Sequence, residues 1–234
     1  LPYMEMPEED NPVLGYRSIR VSLEEKALFK TQLRAILRSA TGGNVRVMFP
    51  MIQTVEQIRE IKKILESAKA ELREEHLPFA ENLPVGIMIE VPAAALIADL
   101  LAAEVDFFSI GTNDLTQFVM AADRMNEHVA DLYEPYHPAV IRLLQSTVRA
   151  ARAAGIRVSV CGELAGDPLA LPIWFALGVR ELSMAGKMML PLKNALMKLD
   201  RSTLERLGKT VSALKTSREI KERLWRFGSD CGIF

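Results

Sequence analysis

The chain has 234 residues, 49% of them apolar, and its 29 basic and 30 acidic side chains leave a formal charge of −1. That is enough length for one sizeable α/β core. Acids and bases are mixed along the sequence, which argues against a nucleic-acid or membrane partner recruited by net charge.

Gly15–Arg20 reads as a short strand. Ser22 with Glu25 reads as a capping box for a helix carrying Ala27, Leu33, Ile36, Leu37 and Ala40 at helical spacing, and Gly42-Gly43 stops it. Val45–Met51 is a short apolar run ending at Pro50-Met51 and reads as a buried strand. Thr54 with Gln57 caps the next helix, whose Val55, Ile58, Ile61, Leu65, Ala68 and Leu72 form one stripe. Val85–Ile89 is another buried strand, and Pro92 opens a helix to about Ala103. Asp106–Ile110 is a strand running into Gly111-Thr112-Asn113-Asp114. Helices follow at Leu115–Ala122 and Pro138–Ala154, the second with Pro at its start and Gly155 past its end. Arg157–Cys161 is a strand, Asp167-Pro168 opens a helix, and Glu181–Met184 is a last short strand. Helices over Met188–Leu199 and Ser202–Arg226 close the chain.

Apolar strands without clean alternation, each followed by a helix, mean a parallel sheet covered by helices. The count is about six, against the eight of a closed (β/α)8 barrel of about 250 residues. Either the sheet is open or a barrel lacks two units at its front. The chain begins at Leu1 in a Pro- and Glu-rich stretch, which reads as a cut inside a longer polypeptide. No basic segment precedes an apolar one at the start. Val85–Val105 and Pro168–Val179 are interrupted by Glu90, Pro92 and Asp99 or are too short to span a bilayer, so no membrane insertion is expected. Cys161 and Cys231 form no metal-spaced pair. A disulfide framework is therefore not expected, and a reducing cytoplasm is.

Chemistry-bearing residues recur at the carboxyl ends of the strands, where barrel enzymes place their sites. Glu90 follows Gly-Ile-Met-Ile at a position where a buried strand favours another aliphatic, and an ionised carboxylate there requires a cationic partner. Asp114 ends the next strand. Two carboxylates from adjacent strands, with no Cys/His cluster, make the oxygen-ligand site that magnesium uses, completed by substrate oxygens and water. Taken singly, each can instead cap a helix start. Arg17 and Arg124 are candidate anion clamps, because guanidinium forks match carboxylate and phosphate oxygens; either alone can equally be a solvated surface group. Cys161 ends its strand beside Gly162 and Glu163 and reads as packing or as chemistry. His76, His128 and His137 lie in loops or at a helix start, and His137 before Pro138 reads as an N-terminal cap rather than a phosphoryl acceptor.

The segment Asp106-Phe-Phe-Ser-Ile-Gly-Thr-Asn-Asp-Leu-Thr-Gln-Phe-Val-Met-Ala-Ala-Asp-Arg124 resembles the second signature of the phosphoenolpyruvate-utilising enzymes throughout its length. Asn11-Pro-Val-Leu-Gly-Tyr-Arg-Ser-Ile-Arg20, Met48-Phe-Pro-Met51, Gly86-Ile-Met-Ile-Glu-Val-Pro92 and Cys161-Gly-Glu-Leu-Ala-Gly-Asp167 resemble, in order, segments of enzyme I of the bacterial sugar phosphotransferase system. The likeness runs from about Leu1 to Met184 and more weakly beyond. It implies that residues 1–234 are the C-terminal part of a (β/α)8 barrel without its first two βα units, in a multidomain, cytoplasmic homodimer. It implies Mg2+ on Glu90 and Asp114, and phosphoenolpyruvate against Asn113, Asp114 and Arg124, with Arg17 near the phosphate. Cys161 falls on the residue that protonates the methylene carbon to release pyruvate. A histidine of the same polypeptide would take the phosphoryl group and pass it to a histidine-containing phosphocarrier protein. Two family arginines on the earlier strands and the Gly-rich Thr-Ser-His segment are not in the sequence, so the chain alone is expected not to complete phosphoryl transfer. Pyruvate phosphate dikinase and phosphoenolpyruvate synthase share the signature, and a nitrogen-related enzyme I shares the pattern. A fragment serving only dimerisation or ligand sensing is the reading from another class.

Overall fold

The computed structural model describes residues 8–234, apart from the side chains of Arg201, Ser202, Glu205 and Lys209. Of the irregular stretch expected at the start of the chain, residues 1–7 lie outside the described residues. Five parallel strands, β1 (Val47–Phe49), β2 (Val85–Ile89), β3 (Phe107–Gly111), β4 (Arg157–Cys161) and β5 (Glu181–Leu182), lie side by side in chain order. The register runs Phe49 against Ile87, Ile89 against Ile110, Gly111 against Cys161 and Val160 against Leu182.

The period of two sorts the strand residues onto two faces. Val47, Phe49, Ile87, Ile89, Phe108, Ile110 and Val160 are buried and belong to the main hydrophobic core. The other face carries Met48, Met88, Glu90, Ser109, Ser159 and Cys161. Four parallel steps of about 4.8 Å would put β1 and β5 roughly 19 Å apart in a flat sheet. Yet Arg46, one residue before β1, lies 3.7 Å from Glu181 of β5 and 5.8 Å from the ring centroid of Phe107 on β3. The sheet therefore curls, and the polar face is its concave side. These are consecutive staves of a barrel-type (β/α) sheet.

Helices cover the convex side. Helices α2 (Lys26–Ser39) and α3 (Val55–Glu74) pack together, α3 burying Ile58, Ile61, Leu65, Ala68 and Leu72 as its stripe requires. Each such Leu or Ile contributes about 1.5–3 kcal/mol on burial. Thr54 and Gln57 form the expected capping box. Helix α7 (Pro138–Ala153) starts at Pro138 with the His137 ring accepting from the Ala139 N–H, so His137 caps.

Several elements differ from the sequence reading. Gly15–Arg20 is no strand. It is a turn, with the Leu14 N–H on the Asn11 carbonyl at 2.9 Å and the Arg20 guanidinium on the Gly15 carbonyl at 2.7 Å, leading into α1 (Ile19–Glu24). The described strands therefore number five, not about six. Ser22 lies inside α1, its hydroxyl donating to the Ser18 carbonyl, so it caps nothing. The helix from Pro92 breaks at Ile97 into α4 (Pro92–Leu96) and α5 (Ala98–Ala102). The strand expected to end at Ile110 runs to Gly111, and α6 (Thr112–Met120) follows at once, earlier than the expected start at Leu115. Helix α8 (Leu171–Leu177) begins after, not at, Asp167-Pro168, and α9 spans Gly186–Leu196. The final long helix is two, α10 (Arg201–Ala213) and α11 (Ser217–Asp230), because Thr216 and Glu219 form a capping box that restarts the chain.

Candidate functional site

Glu90 follows β2, with its side chain on the concave face, and is buried. Its Oε1 accepts the Met51 backbone N–H at 2.7 Å. Met51, buried just beyond β1, holds a left-handed backbone at φ 57 to present that N–H; such a conformation is costly for a side chain other than glycine. The neighbouring position on β3 is Gly111, where an added Cβ would stand 2.9 Å from Glu90 Oε2. Glycine there leaves room for the carboxylate. The next position across is Cys161. Glu90, Gly111 and Cys161 thus form one lateral row at the carboxyl rim.

Burial pushes the Glu90 carboxyl above its ordinary range. The Asp114 carboxylate adds to that, while the Met51 N–H and the Arg17 cation oppose it. A buried carboxylate close to a second one is stable in its charged form only with a cation between or beside them.

Asp114 stands in the first turn of α6, and two guanidinium groups reach it. Arg17 Nη2 is 3.3 Å from Oδ2 and Arg124 Nη2 is 3.8 Å from Oδ1. Arg17 is placed by the turn that replaced the expected strand, next to Ser18 at φ 54. Arg124 is placed by the loop after α6. That helix ends at Ala121 in a left-handed conformation, and the Arg124 backbone N–H donates to Gln117 Oε1 at 3.1 Å. Arg124 Nη1 is buried without a protein partner. Tyr133 lies beside it; burial raises its hydroxyl, with the Thr116 hydroxyl and the Arg124 cation opposing.

Asn113 faces the segment after β4: its Oδ1 accepts the Glu163 N–H at 2.9 Å. Gly162 makes that approach possible, since at φ 96 its absent Cβ would fall 2.4 Å from Thr112 Oγ1 and 2.7 Å from Asn113 Oδ1. Cys161 is half-buried. Its thiol donates to the Ile110 carbonyl at 3.5 Å and accepts from the Ser109 hydroxyl at 3.6 Å. Burial lifts the thiol above its ordinary value, the Ser109 hydroxyl counters this, and Glu90 and Asp114 add to it. Cys161 therefore keeps its proton at neutral pH.

All six residues singled out in the sequence, Arg17, Glu90, Asn113, Asp114, Arg124 and Cys161, meet at one end of the sheet. Sequence reasoning missed Met51, Gln117 and Tyr133, which hold or flank them. Met51 and Gln117 were inside recognised segments, but a backbone N–H has no residue-type signature. Among the described residues no three His, Cys, Asp or Glu side chains gather as a metal cluster. Two hard oxygen donors from adjacent βα units, Glu90 just past β2 and buried and Asp114 in the first turn of α6, fit a cation whose remaining ligands are substrate and water.

These residues gather at the carboxyl rim of a barrel-type sheet. The profile of the PEP-binding domain of PEP-utilising enzymes matches residues 1–201, and the chain belongs to that family. The chain is 50% identical over 220 residues to the phosphoenolpyruvate-protein phosphotransferase of Geobacillus stearothermophilus, covering 94% of this chain and 38% of that one. Its identity to the protein of the same name from Bacillus subtilis (strain 168) is 48% over 220 residues, covering 94% and 39%. The chain thus spans about two fifths of the length of these curated relatives. Among solved structures, a citrate lyase from Burkholderia xenovorans LB400 superposes with a TM-score of 0.54 at 19% identity, over 89% of this chain and 70% of that one. That likeness concerns the fold.

Proposed function

We propose that the chain is the phosphoenolpyruvate site of a phosphoenolpyruvate-protein phosphotransferase. The observation that carries this reading is the convergence of Arg17 and Arg124 on Asp114, within one rim that also holds Glu90 and Cys161. Glu90 and Asp114 would hold Mg2+, which supplies positive charge to the phosphate and enolate oxygens when bound. Arg17 and Arg124 bind the anionic groups of the substrate and exchange their contact with Asp114 for it. Asn113 orients the substrate from the first turn of α6.

Transfer of the phosphoryl group to a histidine of the longer polypeptide breaks the bond between phosphorus and the enol oxygen. The electron pair stays on the enolate. Prepositioned guanidinium groups stabilise the charge that develops. Cys161, held protonated by burial, gives its proton to the methylene carbon and pyruvate leaves. The phosphohistidine then serves a histidine-containing phosphocarrier protein. The working protein is a cytoplasmic homodimer, and this chain alone does not turn over. The relatives' names favour this reading over a dikinase.

Calorimetric titration of the chain with phosphoenolpyruvate, with and without Mg2+, tests it. Binding heat that requires Mg2+ and is lost in Glu90→Ala and Asp114→Ala is expected. Heat that is independent of Mg2+, or unchanged in both variants, would defeat the metal assignment.

A further inference from the structure

We infer that Tyr136 and Asp167 form a clasp that sets the loop carrying Arg124 against the segment carrying Cys161, which makes Tyr136 a positioning residue of the site. The inference rests on the reading of Arg124 and Cys161 as site residues, and neither member of the clasp belongs to that set.

The loop at 121–137 joins α6 to α7 and carries Arg124 near its start. Its first anchor is the Arg124 N–H on Gln117. Inside it, Asp123 and Asn126 side chains only fold the loop onto itself, accepting the Met125 and His128 N–H groups at 2.9 and 3.0 Å. The far end is tied outward. Tyr136 is 4% exposed, and its hydroxyl donates to Asp167 Oδ2. Its own N–H donates to Glu134 Oε1 at 3.0 Å, and Glu134 Oε2 lies 2.5 Å from Lys221 Nζ of α11. Lys221 also stands 5.6 Å over the Tyr136 ring. The tyrosine is thus held from two sides.

Asp167 closes the segment that opens with Cys161. That segment is itself fixed to the core: Glu163 N–H bonds Asn113, and the Trp174 indole donates to the Leu164 carbonyl at 3.1 Å. Asp167 Oδ1 accepts the Leu169 N–H at 2.8 Å, which leaves Oδ2 aimed at the tyrosine. A bond from a buried hydroxyl to a charged acceptor is among the stronger single contacts a fold makes. Here it joins a long loop to a segment already anchored in the core. Through it the loop that carries Arg124 and the segment that carries Cys161 are tied to each other at their far ends. It also gives the final Asp of Cys161-Gly-Glu-Leu-Ala-Gly-Asp167 a task that needs no contact with substrate.

The test compares the chain with Tyr136→Phe and Asp167→Asn by backbone hydrogen exchange and by alkylation of Cys161 with iodoacetamide, Cys231 serving as the internal reference. Loss of one bond to a charged acceptor should speed exchange across 121–137 and 161–167 by about tenfold in Tyr136→Phe, with α3 and α7 unchanged. Cys161 alkylation should rise relative to Cys231. Asp167→Asn, which keeps a neutral bond to the tyrosine hydroxyl but loses the charge, should fall between the parent chain and Tyr136→Phe. Parent-like exchange in both loops, or a uniform rise across every helix, would overturn the clasp. Neither readout uses phosphoenolpyruvate, so the clasp and the substrate assignment can fail independently of each other.

Discussion

Glu90 is the residue on which the site turns, and its surroundings are built for a carboxylate rather than merely tolerant of one. Gly111 supplies the room and Met51 supplies the N–H. Gly111→Ala would drive a methyl group to 2.9 Å from Glu90 Oε2. Overpacking of this kind costs about 1–3 kcal/mol, so the variant should unfold at lower urea and lose Mg2+-dependent phosphoenolpyruvate binding together. The charge state of Glu90 has a definite sign. Its folded-state pKa lies above the unfolded one, so the native state binds the proton more tightly. That stabilisation is complete below the unfolded value and is lost as pH rises through the folded one. In metal-free buffer the stability of the chain relative to Glu90→Gln should therefore fall as pH rises from the unfolded carboxylate value, as urea midpoints across that range would reveal. Cys161, its thiol raised by burial, should be alkylated at neutral pH more slowly than a free cysteine. A faster rate would remove it as a proton donor. Glu90 stood out in the sequence because a carboxylate closing an aliphatic run is a conspicuous exception, and Asp114 because it follows the next strand. Met51 was not, because what it contributes is backbone geometry.

Elements place these residues, and their own signals were uneven. Thr54 and Gln57 announced α3, and Arg157–Cys161 was bounded to the residue. Between the last two helices, Thr216 and Glu219 carry the same capping signature, but an apolar face continuing across the break hid it. Thr216→Ala should lower stability by about 1 kcal/mol, the usual effect of a lost N-cap, measurable by urea unfolding. The first expected strand failed for another reason. Gly15–Arg20 has strand-like residue types, but its Gly15, Arg17 and Ser18 carbonyls are taken by the Arg20 guanidinium, the Arg20 N–H and the Ser22 N–H, contacts that periodicity does not encode. Beneath the site, Trp174 fills α8 fully buried and bonds the Leu164 carbonyl. Trp174→Ala should cost about 3–5 kcal/mol and loosen the Cys161 segment, read out by thermal unfolding and by exchange at 161–167.

At the scale of the molecule, curling of the sheet makes the site. A flat arrangement would leave the rims of β2, β3 and β4 side by side but not facing anything; curvature, recorded by Arg46 reaching Glu181, turns Glu90, Asp114 and Cys161 toward one volume that Arg17 and Arg124 overhang. Parallel strands were readable from their unbroken apolar character, and curvature was not, since it depends on how successive strands twist. The most direct measurement is a crystal structure of the chain grown with phosphoenolpyruvate and Mn2+ in place of Mg2+, with the metal located by its anomalous signal. The account predicts one manganese peak held by Glu90 and Asp114, with the substrate phosphate against Arg17 and Arg124. A peak on other side chains, or substrate bound away from that pair of carboxylates, would contradict it.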